Sequence, residues 1–135
     1  MLLIRHGRAG DSDAWEGDDR LRPLDEKGRR QAEQLVQLLE PHSVDRIVSS
    51  AALRCVQTVE PLAHARGLEI EVRKELGEGL QSSAGVQLLR SLGEIDVAVS
   101  CHGGLSEAVC AEHQKKGEVF VLDGETVLER IRPTG

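Results

Sequence analysis

The chain has 135 residues and a net charge of −6, with 39% hydrophobic and 30% charged residues, which fits a soluble globular domain with room for a core. An acidic surface of this kind is not drawn to nucleic acid or lipid headgroups, and no apolar run nears the roughly 20 residues that cross a bilayer. Trp15 and Phe120 are the only aromatic side chains, so the core must be built from Leu, Val, Ile and Ala, and platforms for stacking nucleic-acid bases are missing. Three cysteines, Cys55, Cys101 and Cys110, are an odd number in a chain with no basic and apolar leader at its start. Reduced thiols and a cytoplasmic setting are therefore expected. Met1 directly ahead of the first predicted strand points to a stand-alone protein.

In chain order, the apolar run Met1-Leu2-Leu3-Ile4 predicts a buried strand that stops at Arg5-His6-Gly7. A polar loop rich in Gly and Asp follows, from Arg8 to Leu24. Asp25 is placed to cap a helix on which Ala32, Leu35, Val36 and Leu39 recur at helical spacing, and Pro41 ends it. Arg46 to Ser49 reads as a second strand. Ala52, Cys55, Val56 and Val59 mark a second helix, which Pro61 should kink or restart and Gly67 should stop. Glu69 to Arg73 alternates as a strand does. A third helix carries Val86, Leu88, Leu89 and Leu92 and ends at Gly93. Ile95 to Ser100 is nearly continuous in apolar residues, as in a strand covered on both faces. A short helix is expected from near Leu105, and Glu118–Leu122 with Thr126–Ile131 form a hairpin turned at Asp123-Gly124. The alternation predicts a single α/β domain over residues 1–135, a three-layer αβα sandwich with a mostly parallel central sheet and an antiparallel edge.

The unusual residues gather at predicted strand ends. Arg5 and His6 follow the first strand, Ser49-Ser50 and Arg54 the second, and His102-Gly103-Gly104 the apolar strand near the end. In open α/β sheets ligands bind at this edge, where helix N-termini add amide donors to an anion. An imidazole beside guanidinium groups, with Gly7 letting backbone approach a ligand, suits a phosphorylated substrate.

Five segments in this order resemble the histidine phosphatase superfamily and its phosphoglycerate-mutase-like fold. They are Leu3–Gly7, Pro23–Gly28 leading to Gln31-Ala32, Ser49–Thr58, Leu76-Gly77-Glu78 and Val99–Gly104. The small size resembles SixA-type phosphohistidine phosphatases, and the stretch from Trp15 through Asp25 resembles the phosphatase domain fused to MutT-type Nudix hydrolases. The resemblance implies that His6 is the nucleophile and becomes a phosphohistidine. Arg5 and Arg54 would fork onto the phosphoryl oxygens, with Gly7, Gly103 and a cationic His102 completing the phosphate site. Glu78 would be the acid that protonates the leaving oxygen. The scheme uses no metal and no cofactor, because the cations carry the electrostatic work.

Plainer readings stand beside these. His6 and Arg5 could be a strand-end pair, Arg54 a helix-surface salt bridge, and Glu78 a solvated charge between Gly77 and Gly79, with Glu75 close by. Cys101-His102 with Cys110 and His113 match no zinc spacing. Trp15 shapes the pocket mouth or anchors its loop, and His42, His64 and His113 are read as surface residues. Only 16 residues lie between Glu78 and Ile95, too few for the lid that mutases and sugar bisphosphatases of the family place there. A shallow, open cleft follows. The expected substrate is phosphohistidine on a protein, the alternative a nucleotide or small phosphate ester. From another class, a catalytically idle phosphate-binding module remains, which has no need of a free nucleophile.

Overall fold

The apolar start of the chain forms the central strand β1 (Leu2–Arg5) in the computed structural model, which describes residues 1–77, 82–93 and 96–134. Two 3₁₀ turns, Ser12–Ala14 and Asp19–Leu21, interrupt the polar loop after it, each capped by an aspartate, Asp11 or Asp18. Helix α1 (Glu26–Leu38) begins as expected at Asp25, whose carboxylate accepts from the Gly28 N–H at 2.8 Å. Strand β2 (Arg46–Ser49) has its predicted bounds. Helix α2 (Leu53–Arg66) runs on through Pro61 and closes at Gly67, which takes the left-handed conformation at φ 64°. Pro61 removes a single bond, to the Gln57 carbonyl. The buried face of Val59, Leu62 and Ala63 holds the helix together on both sides of it.

Strand β3 (Ile70–Val72) is shorter than its alternating pattern, and the 3₁₀ turn Lys74–Leu76 follows. Next come α3 (Ser82–Leu92), β4 (Val97–Cys101) and α4 (Gly103–Cys110). Ile95, expected to open this strand, lies outside the described residues. The hairpin of β5 (Val119–Asp123) and β6 (Thr126–Ile131) turns on Gly124-Glu125, one residue later than expected. Asp123 is still paired with Thr126, and Gly124 supplies the positive φ, 60°.

The described strands make one sheet in the order β3-β2-β4-β1-β5-β6. The first four run parallel, and β5 and β6 form the antiparallel side. Alternation along the strands sorts the core into two layers. Leu2, Ile4, Ile47 and Ala98 meet Leu35 of α1, Leu39 at its C-terminal cap, and Val59 and Leu62 of α2. Leu3, Val48, Val99 and Phe120 meet Leu88, Leu89 and Leu92 of α3 and Leu105 of α4. The sheet is thus covered on both faces, the predicted three-layer arrangement. It brings the C-terminal ends of β1, β2 and β4 side by side. Among the described residues, no helix is long and apolar enough to cross a membrane.

Candidate active site

The β1 ladder continues one residue past the strand, with the His6 N–H donated to the Cys101 carbonyl at 3.0 Å. His6 is buried at 6% exposure, and its Nδ1 lies 2.8 Å from the Gly7 carbonyl. A carbonyl can only accept, so Nδ1 carries the proton and Nε2 keeps its lone pair. Burial pushes the imidazole pKa down to about 3. The Gly7 bond opposes that fall, and the positive charges of His102, Arg54 and Arg5 add to it. At neutral pH His6 is therefore an uncharged base of fixed tautomer.

Gly7 serves the site through its backbone. Its N–H is donated to Thr58 Oγ1 at 2.9 Å, and that hydroxyl donates in turn to the Arg54 carbonyl at 2.7 Å. Close behind, Gly28 packs so tightly under the loop that a Cβ there would sit 1.9 Å from the Arg8 carbonyl oxygen. The Pro23–Gly28 segment thus seats the start of α1 against the chain that leaves His6.

Three cationic or potentially cationic side chains surround this imidazole. Arg54, in the first turn of α2, is 2% exposed and pairs with Asp19: Nη2 to the carboxylate at 3.1 Å and Nη1 to the backbone carbonyl at 2.9 Å. Arg5 donates from Nη1 to the Gln114 carbonyl at 2.5 Å, and its guanidinium lies on Gly103, where a Cβ would stand 2.9 Å from Cζ. His102 caps α4 and crosses the His6 ring edge to face, with centroids 5.5 Å apart at 68°. Its Nε2 is 3.0 Å from Ser50 Oγ and 3.6 Å from Cys55 Sγ. Helices α2 and α4 both begin at this edge without a side-chain cap, which leaves their first amides suited to an anion. A neutral imidazole ringed by cations at a sheet edge can accept a phosphoryl group and hold its charge.

The structure thus brings together Arg5, His6, Gly7, Arg54, His102 and Gly103. Glu78 lies outside the described residues. Glu75, its neighbour in sequence, is committed to Arg73 at 2.6 Å, and that bond holds its carboxyl below the usual range. Two contributors escaped sequence reasoning. Asp19, which also takes a 2.9 Å bond from Arg22, was one of several acidic residues in a polar loop. Gln114 is fully buried and bonds the Leu3 and Glu118 carbonyls, both at 2.7 Å, as well as Ser106. No local pattern marks it. Cys55, Cys101 and Cys110 form no disulfide. Among the described residues no group of three or more His, Cys, Asp or Glu side chains is placed to hold a metal ion.

Fold and site together describe an α/β domain with a pocket suited to a phosphoryl group. The sequence profile of the histidine phosphatase superfamily (branch 1) matches residues 1–83, and the chain belongs to that superfamily. An 8-oxo-(d)GTP phosphatase of Mycolicibacterium smegmatis is 48% identical over 63 residues, which are 47% of this chain and 20% of that protein. The match therefore spans about a fifth of the relative's length. Among solved structures, the SixA protein of Agrobacterium tumefaciens superposes with a TM-score of 0.80 at 25% identity, covering 98% of this chain and 96% of that one. The protein histidine phosphatase SixA complexed with tungstate gives a TM-score of 0.79 at 22% identity, covering 97% of this chain and 95% of that one. The architecture is the phosphoglycerate-mutase-like fold.

Proposed function

We propose that the protein hydrolyses phosphoryl groups through a covalent phosphohistidine at His6, without a metal ion, and that its substrate is phosphohistidine carried on a protein. The observation that carries this reading is the fixed tautomer of a buried, neutral His6, with Nε2 as the free lone pair. That lone pair attacks phosphorus and forms an N–P bond as the bond to the leaving group breaks. The leaving imidazole keeps the electron pair and takes a proton. Water then attacks phosphorus, the bond to Nε2 breaks with its electrons returning to the ring, and inorganic phosphate leaves with the water proton removed. Arg5, Arg54 and His102 hold the oxygens through both steps. Glu78 is assigned the proton transfers where the leaving group is an alkoxide, while an imidazole is basic enough to need less help.

Substrate size follows from what surrounds the site. The elements described between β3 and β4 are the turn Lys74–Leu76 and α3, which is in keeping with the open cleft expected for a protein substrate. A cavity of about 520 Å³ lies at the opposite end of the sheet, around Met1, Leu89 and Leu122. Likeness to SixA structures supports the protein substrate. The 48% identity to an 8-oxo-(d)GTP phosphatase favours a second reading, a nucleotide phosphatase. The deciding assay offers phosphohistidine protein, a nucleotide panel and an aryl phosphate to the protein and to His6→Ala. Rapid quench should trap an acid-labile, alkali-stable phosphoenzyme that His6→Ala lacks. Preference for nucleotides moves the assignment to the second reading. Turnover that survives in His6→Ala refutes the covalent route.

A further inference from the structure

Sheet register places a second cationic surface beside the nucleophile. Ile4 pairs with Val119, and Val119 with Ile131. The loop before β5 and the tail after β6 therefore lie at the same edge as His6. Contact is direct, because the Gly117 N–H is donated to the carbonyls of both Arg5, at 3.1 Å, and His6, at 3.0 Å. A groove of about 640 Å³ opens there, reaching Arg5 and lined by Arg8, Lys27, Lys115, Lys116 and Arg132.

The carboxylates near the groove are already committed. Glu118, 1% exposed, accepts from the Lys115 N–H at 2.9 Å and pairs with Arg132. Asp25 pairs with Arg8 at 3.0 Å. Lys27, Lys115 and Lys116 are exposed, and among the described residues none has an ion-pair partner. In a chain of net charge −6, convergence of cations on one edge goes against the composition and raises a local positive field.

We infer that this groove docks an acidic face of the protein that carries the phosphoryl group, with carboxylates meeting Lys27, Lys115 and Lys116 while the phosphohistidine enters at His6. The inference rests on the protein-substrate reading above and deepens it. The choice of partner follows from the kind of cation present. The phosphoryl site uses a buried, braced guanidinium, Arg54, which suits oxygens in fixed positions. The groove offers exposed, mobile ammonium groups, point charges that attract a charged surface without dictating its geometry. At about 4.8 Å between strands, the β5 and β6 ends lie roughly 5–10 Å from β1. That is the reach from a phosphohistidine to acidic side chains flanking it.

The test uses two synthetic phosphohistidine peptides of equal length, one flanked by Asp and Glu and one by Ser and Gly, with phosphoramidate as the small substrate. The full chain and its Lys115→Glu/Lys116→Glu variant are assayed on all three. The full chain should favour the acidic peptide by about tenfold in KM, a preference that shrinks with salt. The variant should lose the preference with kcat unchanged and phosphoramidate turnover intact, which also shows that it folds. Equal KM values for the two peptides, or an undiminished preference in the variant, overturn the docking site. Absence of turnover on phosphoramidate and both peptides overturns the protein-substrate reading and the docking site with it.

Discussion

Acid should weaken this fold through His6 before it touches the carboxylates. The folded imidazole resists protonation down to about pH 3 because it is buried against cations, while in the unfolded chain it takes a proton at 6.5. Between those values the unfolded state binds more protons, so stability falls as pH falls and is complete only above the unfolded pKa. At about pH 5 the medium is some one and a half units below the unfolded value, at about 1.4 kcal/mol per unit, so the loss relative to neutral pH is about 2 kcal/mol. Urea unfolding in phosphate-free buffer at about pH 7 and pH 5 measures it, with His6→Asn as the reference that cannot titrate there. The parent should lose about 2 kcal/mol more than the variant over this interval. Saturating phosphate should shrink the difference, because a bound dianion favours the protonated ring. Equal losses in parent and variant would refute a buried neutral His6, and with it the electrostatic basis of the nucleophile.

Gly28→Ala places a methyl group 1.9 Å from the Arg8 carbonyl, and it should cost about 3 kcal/mol or more in thermal unfolding; an unchanged Tm contradicts the packing. Gly103→Ala meets the movable end of Arg5 instead, so stability should change little while kcat/KM falls about tenfold. A parent-like rate would mean that Arg5 does not hold the phosphoryl group from this seat. Asp19→Asn removes a negative charge 3.1 Å from Arg54 but keeps an oxygen there. Inorganic phosphate should then bind about fivefold tighter as a competitive inhibitor, and weaker binding would make Asp19 an aid to the anion rather than its competitor.

What could be read from the chain was local. The Asp25 cap depends on a bond three residues away, β2 on the apolar pair Ile47-Val48 and β6 on the turn signal before it, so all emerge from adjacent residues. At Pro61 the chain does not restart: α2 is one continuous element, and burial of Val59, Leu62 and Ala63 outweighs one missing hydrogen bond. Arg5, His6, Arg54 and His102 were found because each sits at a strand end or helix start, where position in the alternation implies position in space. Asp19 and Gln114 act on arginines 35 and 109 residues away. Only the fold brings such partners together, and the sequence near them carries no trace of it.

The central place of β1 also governs when the protein can work during its synthesis. His6 leaves the ribosome well ahead of the residues that pair with its strand. Its strand must then wait for β4, nearly a hundred positions later, and for β5 beyond that. Arg5 gains its carbonyl brace only with Gln114, and the His6 backbone its clasp only with Gly117. Pairings this distant in sequence form late and slowly. A nascent chain therefore carries His6 without its surroundings until β4, Gln114 and Gly117 have been made, and the candidate site is assembled only once β5 has closed against β1.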